Sequence, residues 1–237
     1  MKTGETISYS HAGQDLTGWL AKPAGTPRAA VVVFPTIANR TAASERRAAM
    51  LADEGYLAMV ADFYGEPVET FEAALPLADR LRADVAHYRG RLAAGIDALR
   101  GVSGADTSLA MLAIGYCMGG QAALETARDG QDLRAAVSFH GILTTDRKAE
   151  PGAIKPRLLV CHGDADPLVP REQAIAFWEE MDAAGADWHF HSYSRVRHGF
   201  TDPGSDARGM DAIRYDQSAD RQSWAAMLEF FSEVLDR

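Results

Sequence analysis

Short apolar runs alternate along this chain with segments of helical spacing. After the N-terminal region, the apolar runs read VVVF, YLAMVADF, LAMLAI, AAVSF and PRLLVC. Runs of this length, rich in branched side chains, are typical of strands that are buried on both faces of a sheet. Strand and helix in turn predict an α/β fold, in which a mostly parallel sheet carries helices on both faces.

A β-hairpin is predicted to precede this alternation, because two short alternating stretches flank Ala12 and Gly13. The predicted strands cover residues 29–34, 56–65, 109–114, 135–141, 156–163 and 187–194, and the predicted helices cover residues 44–54, 84–100, 118–128, 172–184 and 218–235. Segments 64–82 and 201–215 contain loop-forming glycine or proline. Each is predicted to be either a lid over a pocket or a fixed surface loop.

The composition suits a single globular protein. The chain has 237 residues, of which 47% are hydrophobic, and this predicts one domain over residues 1–237 with a substantial core. A formal net charge of -9 argues against a nucleic-acid partner, because phosphate binding needs a basic surface. The same charge argues against electrostatic binding to an anionic membrane.

Three features predict the compartment. No apolar segment approaches the roughly 20 residues that a membrane span needs. The N-terminal sequence MKTGETISYSHAGQD lacks the apolar core of a signal peptide. Two cysteines cannot build a disulfide framework. Together these features predict a cytoplasmic protein with reduced thiols and no membrane partner.

The stretch GYCMGG, residues 115–120, places Cys117 among glycines directly after a buried strand. A sharp strand-to-helix turn of this kind holds a nucleophile in a strained backbone conformation, which requires small neighbours. The N-terminus of the following helix favours the thiolate form of such a cysteine. A buried, inert cysteine in a glycine-rich turn is the alternative, and the motif alone does not exclude it.

A nucleophile on such a turn needs an acid and then a histidine later in the chain. Asp166 lies in HGDADPLVP after a predicted strand, and it is favoured over Asp164, which is predicted to cap backbone amides of the turn. His198 lies in RVRHGF, after the last predicted strand. Each residue alone is consistent with an ordinary loop. Because Cys117, Asp166 and His198 occur in the expected order, we predict a catalytic triad.

The remaining histidines and the second cysteine are assigned no catalytic role. His189 and His191 alternate on one strand face, and no third ligand for a metal site is evident beside them. The others are His11 and His87, predicted at the surface, His140 and His162, predicted to line the pocket, and Cys161, predicted to be inert core.

Together these motifs resemble the dienelactone hydrolase family of α/β-hydrolases over nearly the whole chain. The matching pieces are VVVFP, RRAAMLADEGYLAMVADFYG, GYCMGG, SFHG, HGDADPLVP and RHGF. The resemblance implies an α/β-hydrolase fold and hydrolysis of ester or lactone bonds by Cys117, Asp166 and His198, with neither a metal nor a cofactor. It also implies an oxyanion hole formed by the backbone amides of Met118 and Ile37.

Two positions depart from the pattern of the family. Thr36 stands where many relatives carry a glutamate that helps to activate the thiol, so thiolate formation is expected to rest on His198 and the helix N-terminus. Asp202 stands in the region where the founding enzymes hold a substrate carboxylate with an arginine. An acid there would repel a carboxylate, so a small neutral ester or lactone is the predicted substrate.

Three side chains are candidate pocket residues: Thr36, Tyr64 and Phe200. The two aromatic rings are placed to contact substrate, with core packing as the alternative. A different function is also consistent with the missing glutamate, namely a catalytically weak relative that senses oxidants through its thiol or binds a ligand. A thioesterase is a further alternative. The predicted partner is a small molecule only, and the chain is predicted to be a monomer or a homodimer.

Overall fold

Eight strands form one sheet in the computed structural model of the protein, which describes residues 4–102 and 109–237. The strands are β1 (Glu5–His11), β2 (Gln14–Ala21), β3 (Ala30–Phe34), β4 (Leu57–Val60), β5 (Met111–Tyr116), β6 (Ala135–Phe139), β7 (Arg157–Gly163) and β8 (Trp188–Tyr193). Their order in the sheet is β1-β2-β4-β3-β5-β6-β7-β8. The β1–β2 and β2–β4 pairs are antiparallel, whereas β3–β4, β6–β7 and β7–β8 are parallel. The predicted mostly parallel sheet with an N-terminal hairpin is therefore confirmed.

The central strands are buried along their whole length, as the apolar runs predict. Every residue of β3, β4, β5 and β6 is buried, which means that both faces of these strands are covered. The hairpin between β1 and β2 turns at Ala12 and Gly13, which have φ of 50° and 79°. Two successive residues with positive φ are typical of the tight turn whose twist matches that of the strands.

Six helices are present in the described residues, and one of them was not predicted. The helices are α1 (Ala42–Asp53), α2 (Phe71–Arg82), α3 (Val85–Val102), α4 (Met118–Arg128), α5 (Arg171–Ala184) and α6 (Gln217–Leu235). Helix α2 lies in a segment that was expected to be a lid or loop, and it contains Pro76. The side chain of Thr70 caps its N-terminus by accepting a hydrogen bond from the amide of Ala73. A capped start and a buried stripe of Ala74, Ala78 and Leu81 outweigh the proline.

The residues group into two compact units, Met1–Ile114 and Gly115–Arg237, with the division inside β5. In the first unit, α1 and α3 pack on the strands, and in the second unit α4 and α6 do so. The aromatic rings of Phe177 and Trp178 on α5 contact Phe190 on β8. One domain over residues 1–237 stays a prediction.

In the first unit, the buried carboxylate of Asp62 organises the loops that follow β3 and β4. Its Oδ1 atom accepts hydrogen bonds from the Asn39 side chain at 2.8 Å and from the amides of Tyr64 and Gly65 at 2.9 Å. Its Oδ2 atom accepts from the amide of Thr17 at 2.9 Å. A carboxylate with several donors is well satisfied although it is buried. This network holds the segment that contains Thr36 and Ile37 next to the segment that contains Tyr64.

In the second unit, a buried ionic cluster connects α4 with α5. Arg128 binds both carboxylate oxygens of Glu180, at 2.9 and 2.8 Å, and one oxygen of Glu125 at 2.9 Å. It also donates to the carbonyl oxygen of Leu143 at 2.7 Å, and its guanidinium lies 5.9 Å from the centre of the Phe177 ring. All three charged side chains are at most 5% exposed. Arg128 therefore compensates the charge of two buried carboxylates.

Substitution of Arg128 by methionine is expected to lower the free energy of unfolding by about 3–5 kcal/mol, because Glu125 and Glu180 would both lose the buried guanidinium that binds them. Urea unfolding followed by circular dichroism measures this loss. The control is Arg171→Met, which removes an arginine that pairs with Asp164 in solvent. That variant should unfold at nearly the wild-type urea concentration. Equal stability of the two variants would contradict the assigned role of the buried cluster.

Candidate active site

Cys117 lies at the junction of β5 and α4, in a conformation that few residues other than glycine adopt. Its φ is 56° and its ψ is -118°, and α4 begins at the next residue. The turn is possible because a Cβ atom at Gly115 would collide with the backbone of Gly119. A Cβ at Gly120 would lie 2.6 Å from the Cα of Gly141. The strained backbone and the glycines around it are the features that the sequence motif predicted.

The two cysteines lie in different surroundings. Cys117 is partly exposed and adjoins the N-terminus of α4, where the helix dipole favours a negative charge. Cys161 is fully buried in β7, and burial raises the pKa of its thiol to about 12. A thiol with so high a pKa forms almost no thiolate at neutral pH. The environment of Cys161 therefore agrees with an inert core residue.

Asp166 and His198 form a buried pair. The Nδ1 atom of His198 lies 2.7 Å from Oδ2 of Asp166, and the two residues are 1% and 2% exposed, respectively. The other oxygen, Oδ1, accepts a hydrogen bond from the amide of Leu168 at 2.8 Å. The carboxylate is thus held from both sides, and it fixes the orientation of the imidazole.

The second ring nitrogen of His198, Nε2, is buried and has no hydrogen-bond partner among the described residues. Burial alone lowers the pKa of His198, but the charge of Cys117 and the hydrogen bond with Asp166 outweigh it and raise the pKa. The coupling between two titrating groups acts in both directions. A thiolate at Cys117 and an imidazolium at His198 would therefore stabilise each other.

The loop after His198 is anchored to the backbone of the histidine itself. The amide of His198 donates to the carbonyl of Ala212 at 3.2 Å, and the amide of Arg214 donates to the carbonyl of His198 at 2.9 Å. A short 3-10 helix, Ser205–Arg208, interrupts the segment. Of the two predicted alternatives for residues 201–215, the hydrogen bonds favour a fixed loop.

Asp202 does not present the unpaired charge on which the sequence argument about substrate depends. Its Oδ2 atom lies 2.8 Å from Nη2 of Arg208, and its Oδ1 atom accepts from the amide of Gly204 at 2.9 Å. The pair has no net charge, so repulsion of a substrate carboxylate is weaker than expected. Asp164 likewise pairs with an arginine, Arg171, and this differs from its predicted role as a cap of backbone amides.

The other predicted site residues lie in both units. In the first unit, the Tyr64 hydroxyl donates to the carbonyl of Ile37 at 3.1 Å, and the Thr36 hydroxyl accepts from the amide of Ala38 at 3.3 Å. In the second unit, Met118 is the first residue of α4 and follows Cys117 directly. The ring of Phe200 is 0% exposed, and this burial favours core packing over contact with substrate.

Two buried histidines at strand ends have surroundings that their sequence positions did not predict. His140 accepts a hydrogen bond from the backbone amide of Cys117, and its motif SFHG was the only sign of it in the sequence. His162 is 2% exposed, its ring nitrogens have no hydrogen-bond partner among the described residues, and burial lowers its pKa. Sequence reasoning placed both near the pocket but assigned neither a contact.

Neither a metal site nor a membrane span is found in the part of the chain that the structure describes. No group of three or more histidine, cysteine, aspartate or glutamate residues is placed to hold a metal ion over residues 4–102 and 109–237. Within the same ranges, every helix is too short or too polar to cross a bilayer.

Comparison with known proteins identifies a family, similar solved structures and a sequence relative. The model of the dienelactone hydrolase family matches residues 16–235. The crystal structure of P91, a dienelactone hydrolase-like promiscuous phosphotriesterase from metagenomic libraries, is 34% identical, covers 98% of each chain and superposes with a TM-score of 0.90. MGS-M1, an α/β-hydrolase enzyme from a deep-sea metagenome, shares the fold at 19% identity over 100% of each chain, with a TM-score of 0.68. The uncharacterized protein K02A2.1 of Caenorhabditis elegans is 39% identical over 146 residues, which are 61% of this chain and 92% of that protein. The predicted α/β-hydrolase fold is confirmed.

Proposed function

Because this chain belongs to the dienelactone hydrolase family and is therefore a hydrolase, we propose that it cleaves carboxylic ester or lactone bonds with Cys117 as the nucleophile. Asp166 and His198 complete the proposed triad. The observation that carries the proposal is the coupling within the second unit. His198 is hydrogen-bonded to Asp166 through one ring nitrogen, and its pKa is raised by the charge of Cys117. Such a pair supplies a thiolate and a proton at one place.

The proposed reaction begins from the thiolate of Cys117 and the imidazolium of His198. The thiolate attacks the carbonyl carbon and forms a C–S bond, and the carbonyl π electrons move to the oxygen. The tetrahedral intermediate then expels the alkoxide, which takes the proton of His198 and leaves as the alcohol. His198, now neutral, accepts a proton from water that attacks the thioester. The thiolate leaves, and the acid product departs with the ion pair restored.

The developing oxyanion needs hydrogen-bond donors that are already in place. The amide of Met118 is the proposed donor, because it follows the nucleophile at the first position of α4. Removal of one such donor costs about 3–4 kcal/mol of transition-state stabilisation in enzymes of this type. Ile37 as the second donor stays a prediction, as do the pocket roles of Thr36 and Tyr64.

We still propose a small neutral substrate, but the reason is no longer repulsion by Asp202. Two arginines lie near His198 in the sequence, one on each side, and both form ion pairs. Arg197 pairs with Asp211, and Arg208 pairs with Asp202. Neither is placed as an uncommitted partner for a substrate carboxylate. A phosphotriester is the second candidate substrate, because P91 is described as a promiscuous phosphotriesterase and shares 34% identity over 98% of this chain.

The test is a panel of neutral aryl esters, carboxylate-bearing aryl esters, lactones and one aryl phosphotriester, assayed beside Cys161→Ala. The buried thiol is not part of the proposed reaction, so that variant should keep turnover near that of the wild type. Acid quenching during turnover, followed by peptide mass spectrometry, should locate an acyl group on Cys117. Release of the chromophore without any adduct on the Cys117 peptide would argue against a covalent thioester.

The same experiment separates the alternatives. Phosphotriester cleavage that exceeds ester cleavage would make the second candidate the main activity. Rapid alkylation of Cys117 without turnover of any substrate would favour a thiol sensor or a ligand-binding relative. The physiological substrate, the monomeric or homodimeric state and the cytoplasmic location stay predictions.

A further inference from the structure

The buried ring of His140 connects parts of the proposed site that lie far apart in the sequence. The residue follows β6 directly, and its φ of 41° lies in the left-handed region that side-chain-bearing residues rarely adopt. The ring is 2% exposed. A strained conformation of this kind persists only where the surrounding contacts hold it, and it occurs preferentially at functional sites.

The hydrogen bonds of the His140 ring decide its tautomer. The backbone N–H of Cys117 donates to the carbonyl of Phe139 and to Nδ1 of His140, both at 3.1 Å, and because a backbone N–H only donates, Nδ1 carries no proton. In a neutral imidazole the proton then lies on Nε2, which is 2.8 Å from Oγ1 of Thr201. His140 therefore accepts from Cys117 and donates to Thr201 as an uncharged ring.

The same ring also packs against the proposed base. The centres of the His140 and His198 rings are 5.1 Å apart, and their planes meet at 67°. Phe200 packs edge-on against His140 at 5.2 Å, and Thr201 lies on the loop that follows His198. A single side chain thus contacts the backbone of the nucleophile, the ring of the base and the loop that carries the base.

We propose that His140 is a positioning residue that sets the separation of the Cys117 thiol and the His198 imidazole. The proposal rests on the proposed function, in which the Cys117 thiolate and the His198 imidazolium act together on the substrate. His140 acts through the backbone of Cys117 and the ring of His198, and it does not touch the substrate. Because a misplacement of about 1 Å can lower a rate about 100-fold, a residue with this role affects kcat without contact with the reacting atoms.

The charge of His140 matters for the same reason. Among the described residues, the titratable groups beside its ring include Cys117, His198 and Tyr116, whose ring centre is 6.1 Å away. A second imidazolium beside that of His198 would oppose the ion pair with Cys117. A protonated Nδ1 would in addition lose the hydrogen bond from the Cys117 amide. The neutral tautomer held by Thr201 avoids both effects.

Two pairs of variants test the proposal. His140→Ala removes both hydrogen bonds, whereas His140→Asn places an amide oxygen near the position of Nδ1, and asparagine adopts a positive φ more readily than alanine. We expect His140→Ala to lower kcat for a neutral aryl ester by about 10–100-fold, with KM nearly unchanged. His140→Asn should recover part of that loss. Thr201→Val should lower kcat more than Thr201→Ser, which keeps the hydroxyl.

A readout independent of turnover separates positioning from mere stabilisation. The rate of Cys117 alkylation by iodoacetamide, measured against pH, reports how readily the thiolate forms. In His140→Ala the acid limb of this profile should move to higher pH, because the thiolate loses a well-placed imidazolium. A merely structural role would lower the melting temperature and the number of reactive thiols per chain, but it would leave the profile of the remaining thiols in place.

The outcomes distinguish this proposal from the proposed function. If Cys117→Ala abolishes turnover while His140→Ala keeps kcat per reactive thiol within about twofold of the wild type, positioning by His140 is overturned and the proposed function stands. If turnover does not depend on Cys117, the proposed function fails. The alkylation profile then still decides, because an unshifted acid limb in His140→Ala overturns the positioning role.

Discussion

Substitution of Cys117 by alanine is expected to lower kcat/KM for a neutral aryl ester by about 10⁴-fold or more, because loss of the nucleophile removes the covalent route altogether. The expected effect on folding is small, since alanine keeps the Cβ atom and therefore the same backbone strain at φ 56°. Turnover and the thermal unfolding midpoint, measured on the same preparation, separate the two effects.

Cys117→Ser and Cys161→Ala are the informative companions of that variant. Serine keeps the size of the side chain, but its hydroxyl ionises far less readily than a thiol, so most of the activity should still be lost. The Cys161 variant controls for the general effect of removing a thiol, and its activity should remain near that of the wild type. Retention of ester turnover by Cys117→Ala would remove the basis of the proposed mechanism.

The second large effect is expected for Asp166→Asn, which should lower kcat by about 10⁴-fold, as loss of the orienting acid does in other triads. An asparagine amide at 2.7 Å from Nδ1 of His198 can present its NH₂ group and so favour the wrong tautomer. Asp164→Asn is the matched control. Asp164 lies two residues earlier on the same loop but pairs at the surface with Arg171. The Asp164→Asn variant should therefore have nearly unchanged activity.

The Asp166 variant also has a predicted pH signature. The charge of Cys117 and the hydrogen bond with Asp166 both raise the pKa of His198, so removal of the aspartate lowers that pKa. The imidazolium is then less populated, and the thiolate of Cys117 loses part of its stabilisation. The acid limb of Cys117 alkylation should move to higher pH. A profile that coincides with that of the wild type, or a kcat within about tenfold of it, would contradict the role assigned to Asp166.

Sequence patterns predicted the regular elements well where one strong signal was present. Helix α4 occupies Met118–Arg128, the predicted range, because the glycine-rich turn marks its start and its apolar face is continuous. The hairpin at Ala12 and Gly13 formed as predicted, since alternation and turn residues agreed. Helix α2 was missed because Pro76 argues against a helix locally, and only the buried stripe of the folded protein outweighs it.

Ion pairs between side chains were the contacts least predictable from the sequence. Asp202 was predicted to repel a substrate carboxylate, but Arg208, at the end of the short helix six residues later, binds it directly. The cluster of Arg128 with Glu180 joins residues that are 52 positions apart. No local pattern indicates which opposite charges will meet, because the pairing depends on how loops and helices pack.

The sequence by itself determined the class of fold, the position of the elbow at Cys117 and the order in which an acid and a histidine follow it. These properties are local, since they depend on hydrophobic periodicity, on glycines that permit a strained turn and on residue order along the chain. Only the tertiary structure decided that His198 is bound to Asp166, and that His140 links Cys117 with Thr201. Such contacts join loops at the ends of different strands, and their distances are set by the packing of the whole sheet, which no single segment encodes.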